Sequence, residues 1–330
     1  MPAHVLPVSR RKFIAGSIAS ITLGRAEMLG DNSRTNPDLW AAFSDTHLLS
    51  AKSIQRHYRS SKAAREKRAV TVSRNFDRFA RQVNALPEKP AGMLLNGDCV
   101  HVGGRQEHEQ LAEKFALFED TPIHATMGNH DHRDDFRKAF QKQDDKVLLE
   151  NRHVSIVRSR HANFVLLDSL TMDAPEKPVK GPGRLGSEQM AWFESVVDAE
   201  SDKPMILMFH HNIDPSADYE KRSGKKKIIL HSASPLQPIA GLEDSDQLLD
   251  LLQTKPQVKA IVTGHMHQYR IFQWRKLHFV SLPSVGYAFH ANEPIGWLRF
   301  LLQENGAELE LRTLDTKNSL NRSKTRLSWS

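Results

Sequence analysis

The chain contains one cysteine, Cys99, in 330 residues. An intrachain disulfide is therefore excluded, and stability has to come from packing. A small buried side chain following a strand is the expected role of that cysteine, ahead of catalysis. No apolar run approaches the roughly 20 residues that a membrane-spanning helix requires; the mildly apolar run near the N-terminus extends only from Phe13 to Gly24. Internal repeats of fixed period and low-complexity tracts are also missing, which argues against solenoids and arrays. Basic residues never form a stripe interleaved with aromatics, so the formal charge of +7 is not read as a nucleic-acid footprint. Part of that excess sits at the ends. Residues 1–30 hold Arg10, Arg11, Lys12 and Arg25 against Glu27, and "KNSLNRSKTR" (317–326) carries more. Without evident apolar periodicity, residues 316–330 are expected to be a disordered basic tail.

What remains is an ordinary globular composition, 39% apolar and 26% charged, long enough for a sizeable core. The N-terminus stands apart. "VSRRKFIAGSIASITLG" (8–24) resembles a twin-arginine export signal, with paired arginines after a serine, Phe13 two residues on, and an apolar run diluted by Gly, Ser and Thr. That resemblance implies a signal segment over residues 1–30, the twin-arginine translocation machinery as a partner, and a periplasmic destination.

Beyond the polar linker "GDNSRTNP" (30–37), strand-length apolar runs alternate with helical patterns. "LWAAF" (39–43), "GMLL" (92–95), "IHATM" (123–127), "FVLLD" (164–168), "MILMF" (205–209) and "KAIV" (259–262) read as strands. Val72, Phe76, Phe79, Ala80 and Val83 recur at helical spacing, as do Met190, Phe193, Val196 and Val197 behind a Ser187 cap. The alternation predicts a layered α/β fold, with antiparallel pieces formed by "RIFQW", "LHFVSLP", "WLRFLL" and "AELELRTL". The long segment 212–246 lacks clear periodicity, and a connection of that length inside a compact domain is usually functional or disordered.

The residues that follow the strands carry the functional signal. Asp45 and His47 follow the first run, Asp98 the second, Asn129, His130 and Asp131 the third, His210 and His211 a later one, and His265 and His267 the last. Carboxyl ends of strands in open α/β sheets converge on one crevice, so these groups are expected to be neighbours. The eleven histidines outside this set, His101, His108 and His153 among them, are expected on the surface or as satisfied core residues; there are seventeen in all.

In order, "SDTHL", "NGDCV", "GNHDHR", "FHHN" and "GHMHQ" resemble the signature of the calcineurin-like metallophosphoesterases, and "GNHDHR" with "GRLGSEQMAWF" is most similar to the bacterial cyclic-nucleotide phosphodiesterase-like branch. "HHN" departs from the "HHP" common in that branch. The resemblance implies a metallophosphoesterase domain over residues 38–315 with sandwich-like mixed sheets flanked by helices. It also implies a small-molecule phosphate ester as substrate and two metal ions per chain. Asp45, His47 and His267 would hold one ion, Asn129, His210 and His265 the other, and Asp98 would bridge them. A set of nitrogen and oxygen donors without thiolate suits Mn, Fe or Zn. His130 would face the phosphate and steady charge or protonate the leaving oxygen, and Asp131 would orient that imidazole, cap a helix, or both. His211 is expected either beside a ligand or at a polar rim. Arg133 is expected in a structural ion pair, and Asp134 and Asp135 at the start of a helix ending near Phe140. Lys225, Lys226 and Lys227 belong either to a solvated loop or to a basic lid over the metals.

Overall fold

The computed structural model describes residues 34–50, 61–118, 121–140, 149, 151–174, 177–178, 181–215, 220–221, 224–226, 228–232 and 241–330; the export-signal segment lies outside them. In chain order the first half comprises β1 (Thr35–Phe43), α1 (Lys62–Asn84), β2 (Lys89–Asn96), α2 (Arg105–Phe115), β3 (Ile123–Thr126), α3 (Arg133–Phe140), β4 (Ser155–Val157), β5 (Asn163–Leu166) and the short ribbon β6 (Met172–Ala174) and β7 (Lys177–Pro178). The second half comprises α4 (Ser187–Ala199), β8 (Met205–Met208), β9 (Ile228–Ser232), α5 (Ser245–Gln253), β10 (Val258–Thr263), β11 (Arg270–Trp274), β12 (Leu277–Ser281), β13 (Gly296–Gln303), β14 (Gly306–Thr313) and β15 (Lys324–Ser328).

Two mixed sheets face each other, ordered β15-β14-β13-β1-β2-β3 and β4-β5-β8-β10-β12-β11-β9. Each has a parallel part, β1–β2–β3 at one side of the first sheet and β5–β8–β10–β12 in the middle of the second. Side chains alternate across each strand with period two, which explains the layering. Trp40, Ala42 and Leu94 join Phe164, Leu166, Ile206, Met208, Ala260 and Val262 in the core between the sheets. Leu39, Ala41, Phe43, Met93 and Leu95 point the other way, against Val72, Phe76, Phe79 and Val83 of α1. On the far side, Phe193 and Val197 of α4 and Leu248, Leu249 and Leu252 of α5 cover Val165, Leu207 and Ile261. The result is the expected layered α/β sandwich, helices outside and sheets inside.

Three expectations change. The C-terminal segment is not a disordered tail: β15 pairs antiparallel with β14, Leu327 and Trp329 are buried in the inter-sheet core, and Lys324 reaches Glu308 at 2.8 Å. Its strand signal is the outward basic residues alternating with inward apolar ones, which a count of charge obscures. Helix α4 begins at Ser187, but its N-cap is Gly186, without a side-chain cap bond. The basic lid also fails where it is described. Trp274, at the end of β11, donates its indole N–H to Lys225 O at 3.2 Å. β11 runs away from the strand ends that carry the site: Arg270 pairs with Ser281, itself level with Thr263 at the end of β10, and Trp274 pairs with Leu277. Lys225 and Lys226 are exposed, and Lys225 sits at the Trp274 end of β11, away from those strand ends. Lys227 lies outside the described residues.

Candidate metal centre

Why the strand ends meet is a matter of one asparagine. Asn96, last residue of β2, donates its amide N–H groups to Phe209 O and Val262 O, both at 3.1 Å, and accepts from Thr126 Oγ1 at 2.9 Å. Ends of both sheets are thus stitched at one buried point. Ser44 Oγ donates to Asp45 Oδ2 at 2.5 Å, and His265 N–H reaches the same oxygen at 3.2 Å. Asp45 N–H donates to Gly97 O and His47 N–H to Asp98 O.

The backbone here is strained. Asp45, His47, Asp98, His265 and His267 all have positive φ, between 45° and 67°, a left-handed region that costs non-glycine residues roughly 1–3 kcal/mol each. Five such residues among the seven expected ligands mean that tertiary structure forces these side chains to one focus. Glycine is required beside them: a Cβ on Gly128 would lie 2.2 Å from Asp98 Oδ1, and Gly97, at φ 78°, would drive one into the His210 ring.

The side chains form three groups of candidate metal-holding atoms among the described residues, Asp45–His47–His267, Asp98–His210–His265 and, sharing His47, His47–His101–His130; the first two hold the expected ligands. Asp98 spans them. Its Oδ2 is 3.5 Å from His47 Nε2 and its Oδ1 is 3.3 Å from His210 Nε2. Asp45 Oδ1 lies 3.2 Å from His267 Nε2, and His47 Nε2 lies 3.0 Å from His267 Nε2. Ring orientation is set from behind: His210 Nδ1–H donates to Asn96 O at 3.0 Å and His267 Nδ1–H to Tyr287 O at 2.6 Å. Each Nε2 is thereby turned toward the centre, the orientation a metal-ligating histidine needs, and at His210 a metal would take the place of the Nε2 proton.

Buried polar atoms ordinarily have partners. Here Asp45 Oδ1, Asn129 Oδ1, His210 Nε2 and His265 Nε2 are buried without a hydrogen bond, so the residues present fit two cations. Protonation follows the same logic. Burial pushes His47 well below the usual imidazole range, and burial with the His210 charge brings His265 down to about 4. Burial works against the His210 cation, yet Asp98 and Asp45 raise it to about 9. For Asp98, burial opposes ionisation but the surrounding His210, His130 and His47 hold it well below the carboxylate range.

The family model described as calcineurin-like phosphoesterase matches residues 41–269. The chain belongs to that family. Among curated relatives, a probable glycerophosphodiester phosphodiesterase GpdQ of Arcobacter nitrofigilis is 27% identical over 205 residues, covering 61% of this chain and 66% of the relative. A 3',5'-cyclic adenosine monophosphate phosphodiesterase CpdA of Pseudomonas aeruginosa is 28% identical over 193 residues, covering 58% and 60%. The chain thus spans slightly less than two thirds of the length of these relatives. A dimetal phosphatase of Danio rerio superposes with a TM-score of 0.58 at 13% identity, covering 89% of this chain and 100% of the other. A purple acid phosphatase from yellow lupin gives 0.54 at 12%, covering 90% and 54%. Both likenesses concern the fold alone.

Within this calcineurin-like centre some side chains act differently from expectation. Asp131 does not orient His130. Its carboxylate accepts from the N–H groups of Cys99, Val100 and Gly128 at 2.9–3.1 Å and lies 3.4 Å from His108, so it braces the two ligand loops against each other. His130 is oriented instead by its Nδ1–H donating to His101 O at 2.7 Å, and its own N–H donates to Asp98 Oδ1 at 2.9 Å. His101 is not a bystander: its Nδ1 is 3.2 Å from His47 Nδ1, and its ring stacks on His130 at 5.1 Å. His211 is fully buried, 2.9 Å from Ser169 Oγ and packed on His265, which rules out the rim. Arg133 is the expected ion pair, with Asp168 at 2.7 Å, and Asp134 and Asp135 open α3. Burial and Asp131 push the Cys99 thiol well up, consistent with packing rather than catalysis. Sequence reading missed Asn96 and His101; the signal was their place on either side of Asp98 in "NGDCVH".

Proposed function

We propose that the protein hydrolyses phosphodiesters at a dinuclear metal centre held by Asp45, His47 and His267 on one side and Asn129, His210 and His265 on the other. The observation that carries the reading is Asp98, whose two carboxylate oxygens face different ligand groups at 3.5 and 3.3 Å. When bound, the ions would supply positive charge for the phosphate oxygens and acidify the attacking water. No side-chain nucleophile is then required. Mn, Fe and Zn suit a donor set of carboxylates, amide and imidazoles. A diester is favoured over a monoester because the relatives named above are a glycerophosphodiester and a cyclic-nucleotide phosphodiesterase.

The chain's own contribution is His130. With Nδ1 engaged by His101 O, its Nε2 is the nitrogen left to meet substrate, on the side of His47, where it hands a proton to the departing alkoxide. Replacing His130 by alanine should slow esters of poorly acidic alcohols far more than p-nitrophenyl esters; equal losses would leave charge stabilisation as its only role. The deciding experiment is metal analysis of the purified protein with rates on bis-p-nitrophenyl phosphate and p-nitrophenyl phosphate. Two metals per chain with faster diester turnover supports the reading, and faster monoester turnover replaces it by a phosphomonoesterase. Export by the twin-arginine route belongs to the same proposal, supported by Arg10 and Arg11 ahead of Phe13. Lysine at both positions should strand folded protein in the cytoplasm, and unchanged periplasmic yield would remove that route.

A further inference from the structure

The segment 284–290 closes over the His267 side of the metal centre, and residues 284–287 are held by hydrogen bonds to Asp45 and Asn75 and by one within the segment. Ser284 Oγ donates to Asp45 O at 2.9 Å, Gly286 N–H donates to the same oxygen at 2.9 Å, Asn75 donates its amide N–H to Gly286 O at 2.9 Å, and Tyr287 N–H donates to Ser284 Oγ at 3.1 Å. Tyr287 packs on His47 and His267, with centroids at 5.0 and 4.7 Å, and the Arg68 guanidinium covers it at 4.5 Å. Two residues past the anchored Tyr287, one large apolar ring stands in water: Phe289 is 48% exposed. One face of that ring lies parallel to the His267 imidazole, 4.1 Å away and tilted 11°. The exposed remainder has no packing role in the described residues. An exposed aromatic ring seated on a ligand imidazole beside a reaction centre, with its other face open, is a stacking surface for a planar group.

We propose that Phe289 is a specificity-determining residue that stacks a planar substituent of the substrate, an aryl group or a nucleobase, while the phosphodiester occupies the metal centre. The assignment rests on the phosphodiesterase reading. It predicts selectivity for the group that is retained on phosphorus, which is separable from the leaving group. Thymidine 5′-(p-nitrophenyl) phosphate and ethyl p-nitrophenyl phosphate release the same phenolate and differ only in that retained group.

With metal-loaded protein, kcat/KM should favour the thymidine ester by about ten-fold, within the range expected for one base–aromatic stack. Phe289→Leu should collapse that ratio toward one through KM, with both metals still bound, and Phe289→Trp should preserve it. A ratio unchanged in F289L, or equal losses on both esters accompanied by metal loss, would overturn the assignment and reduce Phe289 to cover for His267. Binding of thymidine 5′-monophosphate against ribose 5-phosphate, measured calorimetrically, gives a readout independent of turnover. If neither ester is cleaved the hydrolase reading falls, and a binding preference for the thymidine compound that F289L abolishes still establishes the stack; no preference in the wild-type protein overturns it.

Discussion

The Asp168 cluster and the Asp98 cluster each bury a carboxylate just past the carboxyl end of a strand, yet one closes its hydrogen bonds and the other leaves them open. Around Asp168, Arg133 donates Nε–H to Oδ2 at 2.7 Å and Nη2–H to Oδ1 at 3.1 Å, while the N–H groups of His153 and Leu170 donate at 2.9 and 3.0 Å. Burial opposes its charge, but Arg133, Arg152 and the His153 N–H together hold the carboxyl below its usual range. Around Asp98, facing imidazoles crowd together with atoms that bond to nothing, on a backbone forced into the left-handed region. A closed cluster of this kind ties α3 to β5 and has no valence left for a ligand. An open one is stable only if something else completes it. Burial and charge are common to both; satisfaction separates structure from function.

The sharpest way to break the comparison is to delete each carboxylate in turn. Asp98→Ala should release both metals and lower activity below roughly a thousandth of wild type, since one carboxylate serves both groups. A variant that keeps two metals and near-native turnover would take Asp98 out of the bridging position.

Asp168→Ala should do the reverse. Removing one partner of a buried pair leaves the Arg133 guanidinium uncompensated, a loss of about 3–5 kcal/mol in urea titrations. Metal content per folded chain should stay at the wild-type value. If instead stability holds and metal is lost, the closed cluster belongs to the centre after all.

A smaller effect tests the same cluster through pH. His153 is buried and packs edge-on against Phe136, and burial lowers it to about 4. Above about pH 6.5 the imidazole is neutral folded and unfolded, and its contribution is intact. As pH falls from 6.5 toward 4 the unfolded chain takes up the proton first, so stability is lost across that window, at most about 3 kcal/mol from this group. His153→Leu should flatten the acid limb relative to wild type. An unchanged slope would place the titration elsewhere.

Much of this architecture was legible in the sequence, because apolar runs that end in Asp, Asn or His announce both a buried strand and what it delivers. Family motifs then implied which side chains share a metal. What the sequence could not convey depends on contacts made across the sandwich. Asn96 reaches Val262, 166 positions away, and His101 reaches His47, 54 positions back; neither contact leaves a local pattern. Asp131 misled for the opposite reason. Adjacency to His130 suggested partnership, but the turn points the two side chains apart and a backbone carbonyl takes the orienting role. The lysines of 225–226 misled through their proximity in sequence to His210, since Lys225 sits against Trp274 at the other end of β11.

His101 gives the finest test, because it touches the open cluster at two atoms with separable duties. Its Nδ1 supports His47, its ring stacks on His130, and its carbonyl, which no side-chain replacement removes, orients His130. His101→Phe keeps a ring for His130 and deletes the ring nitrogens, the Nδ1 facing His47 among them. Loss of such a partner behind a metal-ligating histidine typically costs 10–100-fold in affinity, so one of the two metals should bind that much more weakly in a calorimetric titration while the other holds. Turnover at saturating metal should recover most of its wild-type value. His101→Ala removes the stacked ring as well, and it should add a loss confined to substrates with poorly acidic leaving groups, where His130 has a proton to deliver. Equal behaviour of the two variants on both readouts would show that the nitrogen and the ring do not act separately, and would return His101 to the satisfied core residues among which its sequence context places it.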